Sequence, residues 1–131
     1  MFTVRLNTDS SVEMLPIENT NWDYLNKLIG CDWIEIVRPK KSQYVLVVDE
    51  EGLLQSKMLN PHASIMYGFM QHHNPIAGPA LMLKEQVGDE GPELVGLDEK
   101  EATELIRALE TVKPSVMHDF EAALLRNIYS L

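Results

Sequence analysis

The sequence predicts a single α+β domain, a small and mostly antiparallel sheet packed by short helices. Three observations lead there. The 131 residues suit one domain. Apolar residues make up 45% of the chain and charged residues 24%, enough for a core and unlike a disordered tail. The apolar pattern also changes along the chain, between the alternation of half-buried strands and the 3–4 spacing of helices. There is no internal repeat and no low-complexity tract.

Phe2, Val4 and Leu6 alternate with polar neighbours, as a half-buried strand does. Residues 7–11 form a turn cluster before a returning strand at 12–17, where Pro16 marks an edge or the end of pairing. Asn19, Thr20 or Asn21 offers an N-cap for a short helix carrying Trp22, Leu25, Leu28 and Ile29, and Gly30 stands where a helix C-terminus favours glycine. Trp33, Ile34, Ile36 and Val37, a turn at 39–42, and then residues 44–48 predict a central antiparallel hairpin over 33–48. Asp49-Glu50-Glu51-Gly52 closes it as a turn, and Leu53, Leu54 and Met58 continue as a short strand or extended segment.

Asn60 and Pro61 open a short helix with Ala63, Ile65, Met66 and Phe69 on its apolar side, ending by Gly68. Residues 76–83 read as a strand interrupted by Gly78-Pro79, and residues 85–95 as an exposed acidic loop. Asp98 and Glu101 form a capping box before Ala102, Leu105, Ile106 and Leu109. Pro114 ends that helix. Residues 114–131 then carry Met117, Phe120, Leu124, Leu125 and Ile128 at helical steps, for docking on the domain, for an oligomer contact, or for both.

The charge narrows the partners. Twenty acidic against eleven basic residues give a net charge of −9 and a pI near 4.8, which repels nucleic acid and anionic membranes. Mimicry of DNA charge would want carboxylates spread along the chain, whereas here they concentrate at 49–51 and 85–104. No apolar run approaches the roughly 20 residues of a membrane span, and the N-terminus lacks the pattern of a signal peptide. The expected location is the cytoplasm, of the host cell if the protein is phage-encoded. The single cysteine, Cys31, cannot form an intrachain disulfide and reads as a partly buried residue after a helix.

Catalytic and metal patterns are missing from the sequence. His62, His72, His73 and His118 show neither HxxxH nor HExxH spacing. Asp49-Glu50-Glu51 lacks the alternation of a calcium loop. No dinucleotide fingerprint, P-loop or GxSxG elbow occurs. The expectation is a non-enzymatic protein with no cofactor. The remaining candidate ligand site comprises Asn60, His62, Ser64, Tyr67 and Gly78. Its helix starts at Pro61 and would point N–H groups at an anion, Arg38 would pair with phosphate beside Lys40 or Lys41, and Tyr67 or Trp33 would stack. The alternative is an ordinary capped helix and a bulged strand.

In order, Trp33-Ile34-Glu35-Ile36-Val37-Arg38, Val47-Val48-Asp49-Glu50-Glu51-Gly52, Leu59-Asn60-Pro61 with Ala63-Ser64 and Tyr67-Gly68, and Ile76-Ala77-Gly78-Pro79-Ala80 resemble a domain-of-unknown-function family. Its members are small proteins of phages, plasmids and their bacterial hosts, and the likeness covers residues 22–109. The resemblance implies a mobile-element origin and a compact α+β domain, and it brings no catalytic mechanism. By analogy with small phage proteins that trap cyclic nucleotide signals, the expected function is capture of a phosphorylated or nucleotide-like molecule by a homo-oligomer, countering host defence. An acidic inhibitor of a host protein, DNA mimicry included, is the alternative.

Overall fold

The computed structural model describes residues 1–39, 42–68 and 75–111. Among these the chain runs β1 (Phe2–Leu6), β2 (Val12–Pro16), α1 (Trp22–Ile29), β3 (Ile34–Val37), β4 (Tyr44–Asp49), α2 (Pro61–Tyr67), β5 (Ala80–Gly88), β6 (Gly91–Val95) and α3 (Glu99–Glu110). The strands form one antiparallel sheet in the order β2-β1-β5-β4-β3, and β6 pairs with the outer half of β5. An α+β domain is what the sequence predicts.

Why helices cover both faces follows from β4 and β5. Residues 45–49 and 80–83 are all buried, which a strand open to water on one side does not allow. Side chains alternate across a sheet, so Leu46, Val48, Ala80 and Met82 point one way and Val45, Val47, Leu81 and Leu83 the other. The first set meets α2 and α3 through Ala63, Met66, Ala102, Leu105 and Leu109. The second meets Leu25 and Ile29 of α1. The capping box is formed, with the Asp98 side chain accepting from Glu101 N at 2.7 Å.

Several local expectations change. The hairpin over 33–48 forms, but β3 is an edge strand and the nine-residue β5 is the centre. Residues 85–95 are a hairpin rather than a loop: Lys84↔Val95 through Gly88↔Gly91 pair strand to strand. Their acidity marks an exposed surface, not missing backbone pairing. Residues 53–58 are a turn, closed by Gln55 N to Glu51 O and Lys57 N to Gly52 O, and only Leu59 bridges to Ala77. The strand expected from residue 76 starts at Ala80, because Gly78 takes a φ of 87° and turns the chain first. Residues 40, 41, 69–74 and 112–131, and with them the 114–131 helix, lie outside the described residues.

Asn60 ties these parts together. It is fully buried. Its Nδ2 donates to Leu6 O at 2.9 Å and Gly78 O at 3.0 Å, and its Oδ1 accepts from Ala63 N at 3.1 Å to cap α2. The Asn60→Ala protein is expected to lose about 3 kcal/mol or more, from a lost cap and two abandoned buried carbonyls. Urea unfolding with an unchanged m-value checks this, and a loss below about 1 kcal/mol would contradict it.

Candidate functional site

The sequence-predicted site divides into two groups of residues. Pro61, His62, Ala63 and Ser64 are all buried, so the first turn of α2 opens onto the interior. Asn60 is spent as above. Ser64 Oγ accepts from Ile76 N at 2.9 Å, and Gly78 N donates to Met58 O at 2.7 Å. His62 Nε2 lies 3.3 Å from Leu109 O in the last turn of α3, while its buried Nδ1 has no hydrogen-bond partner among the described residues. Tyr67 packs half-buried against the same core. The structure brings these residues together as a polar seam under α2.

Arg38 is on the other face. Ile36, two residues earlier, packs with the α1 cluster, whereas α2 packs on the opposite side of the sheet. Trp33 is 62% exposed. It precedes β3 and Arg38 follows it, a separation of roughly 16 Å at strand rise, too far for the two side chains to share one small ligand. Lys40 and Lys41 lie outside the described residues.

A third polar group sits where β4 ends. The Asp49 carboxylate is almost wholly buried, pairs with Lys57 Nζ and accepts from Glu51 N at 2.9 Å. Lys57 also donates to Gly30 O at 3.3 Å, which fastens the 50–58 turn to the end of α1. Cys31 is beside this pair. Burial pushes its thiol up, and the Asp49 charge adds to the effect, so it stays protonated at neutral pH.

Open chemistry gathers around Arg38. Its Nε donates to Glu85 Oε1 at 2.9 Å and its Nη2 to Glu85 Oε2 at 2.7 Å, a bidentate fork reaching diagonally past β4. The hydrogen bonds from Arg38 hold the Glu85 carboxyl below its usual range. The pair lines a groove of about 490 Å³ with Trp22, Ile36 and Leu94. Thr20 also lines it, its hydroxyl donating to Leu94 O at 3.0 Å. Trp22 is 55% exposed although it begins a helix that buries Leu25 and Ile29. Sequence reasoning missed Glu85 and read Trp22 only as part of the helical spacing of α1. The ion pair joins residues 47 apart in the chain, so no local pattern reveals it.

Among the described residues, no group of three or more His, Cys, Asp or Glu is placed to hold a metal ion, and no helix is long and apolar enough to cross a membrane. The fold and its groove thus define a two-faced α+β domain with one aromatic and charged recess on the α1 side. The family model described as a domain of unknown function, DUF3846, matches residues 2–110, and the chain belongs to that family. No curated protein and no solved structure matches the chain.

The seam under α2 generates a pH dependence. Burial pushes the His62 imidazole below its usual range, and the Leu109 carbonyl only partly opposes this. The ring is neutral when folded and gains a proton more readily when unfolded, so its contribution is full above the unfolded value of 6.5 and is lost as pH falls below it. Wild type is expected to lose more thermal stability between pH 7 and pH 5 than His62→Leu. Parallel Tm-against-pH curves for the two proteins would contradict this.

Proposed function

We propose that the protein acts by binding, and that it captures a small nucleotide-like molecule in the groove on the α1 side. The observation that carries this is the meeting of an exposed indole, Trp22, and a guanidinium, Arg38, in one recess of about 490 Å³. That volume is in the range of small-molecule sites, and an aromatic face with an oriented fork of donors suits a planar, polar ring system. Removal of a signalling molecule from solution, as a phage-encoded protein would do to counter host defence, needs nothing beyond such capture. Self-association belongs to the same proposal: Trp33, Leu54 and Met58 are 62%, 87% and 68% exposed, and Trp33 O accepts from Glu50 N beside the 50–58 turn.

A second reading has its own observation. Asp89 and Glu90 at the β5–β6 turn, and Glu99 and Glu104 on α3, are exposed, a surface suited to a basic face of another protein. Charge reversal at Glu99 and Glu104 tests it by loss of a stoichiometric partner in a pull-down. Glu101 is left alone because it completes the cap and pairs with Lys84.

The groove is tested by thermal melting with a panel of mono-, di- and cyclic nucleotides. A ligand at a hundred times its Kd stabilises by about 2.7 kcal/mol, several degrees for a domain of this size. The shift is expected to disappear in Trp22→Ala while the unliganded Tm stays within a few degrees of wild type. A flat response across the panel would sink the proposal.

A further inference from the structure

The hydrogen bonding of Arg38 restricts what the groove can take. A guanidinium has two bidentate edges: one formed by Nε and the nearer Nη, the other by the two Nη groups. Glu85 occupies the first through Nε and Nη2. Among the described hydrogen bonds nothing takes the second, and the Arg38 side chain is 56% exposed in the groove wall. Glu85 therefore fixes the fork in place with its outer donors open.

Glu85 also cancels the charge. An incoming phosphate would meet Arg38 with a carboxylate already bound to it, so part of the attraction is offset by repulsion from Glu85. The chain's net charge of −9 works in the same direction. A neutral, planar pair of acceptors gains the two hydrogen bonds without that repulsion. Trp22, lining the same recess, offers a face on which such a ring can stack.

Resting on the capture reading above, we propose that the groove recognises the base of its ligand rather than the phosphate, and that the base is a purine with two adjacent acceptors, as guanine presents through O6 and N7. Adenine offers one acceptor and one amino donor along that edge, and its donor would face an arginine N–H. Glu85 is a positioning residue in this scheme. It selects against phosphate by neutralising Arg38 and selects for guanine by aiming the open edge.

Calorimetric titration of the full chain with guanosine, GMP, adenosine and inorganic pyrophosphate tests this. Guanosine is expected to bind within about threefold of GMP, adenosine at least about tenfold more weakly, and pyrophosphate undetectably. Glu85→Gln keeps the size of the side chain but frees the arginine charge. It is expected to gain pyrophosphate binding, to favour GMP over guanosine, and to narrow the preference for guanosine over adenosine, with its Tm checked to confirm folding. Equal affinity for guanosine and adenosine, or pyrophosphate binding by wild type, overturns the inference while leaving nucleotide capture standing. No binding by guanosine or GMP overturns the inference, and a flat response to the whole nucleotide panel besides overturns both.

Discussion

The carboxamide of Asn60 is the interaction on which the register of the sheet depends. Its two N–H groups hold Leu6 O and Gly78 O, next to the Leu6↔Ala80 pair where β1 and β5 begin their ladder. In a strand with one wet face, the hydrophobic pattern sets the register, since a slip of one residue would expose the core. The start of β5 has no wet face. Residues 80–83 are buried on both sides, so apolar patterning discriminates weakly between registers there. A buried amide with three specific partners supplies the discrimination that patterning does not, and it caps α2 at the same time.

That register decides which charges meet. Lys84 and Glu85 are neighbours in β5 and point to opposite faces. Lys84 finds Glu101 of α3 at 2.8 Å, and Glu85 finds Arg38 at 2.7 Å on the α1 face. Slipped one way, Lys84 would take the place of Glu85 and face Arg38; slipped the other way, Glu85 would take the place of Lys84 and face Glu101. Each pair is partly exposed and contributes at most about 1 kcal/mol to stability. Their larger effect is against the wrong alignment, where a slip in either direction loses both attractions and adds one repulsion. The groove is thus a product of the same register: its fork exists because Glu85, and not Lys84, is turned toward α1.

What was legible in the sequence is what short-range patterns encode. The β3–β4 hairpin, the Asp98–Glu101 box, the Asn60 cap with Pro61 and the glycine ends of α1 and α2 all involve residues within a few positions of one another. The order of the strands was not legible, because β5 joins β1 across more than seventy residues and nothing local marks it as central. The acidic 85–95 stretch was misread for a related reason. Its strands are mostly solvent-facing, so they lack the apolar alternation that identifies a half-buried strand. Asn60 was recognised as a cap and then assigned to a ligand, since its other two partners, Leu6 and Gly78, are distant in sequence.

The polar residues divide by accessibility, and the proposed binding chemistry falls on the accessible ones. Asn60 and Ser64 are buried with their side-chain groups engaged, and His62 is buried against the end of α3. A ligand reaching any of them would have to displace protein hydrogen bonds in a dry interior, each lost bond leaving an unsatisfied group. Arg38 and Trp22 face no such barrier. Trp22 is the more telling of the two, since a small polar residue would start α1 equally well and Leu25 and Ile29 already anchor the helix. An indole kept more than half in water forgoes much of the burial its ring could gain. In the fold by itself that exposure achieves nothing. In a recess where an arginine has been oriented and neutralised, it supplies a face that the proposed planar ligand would cover.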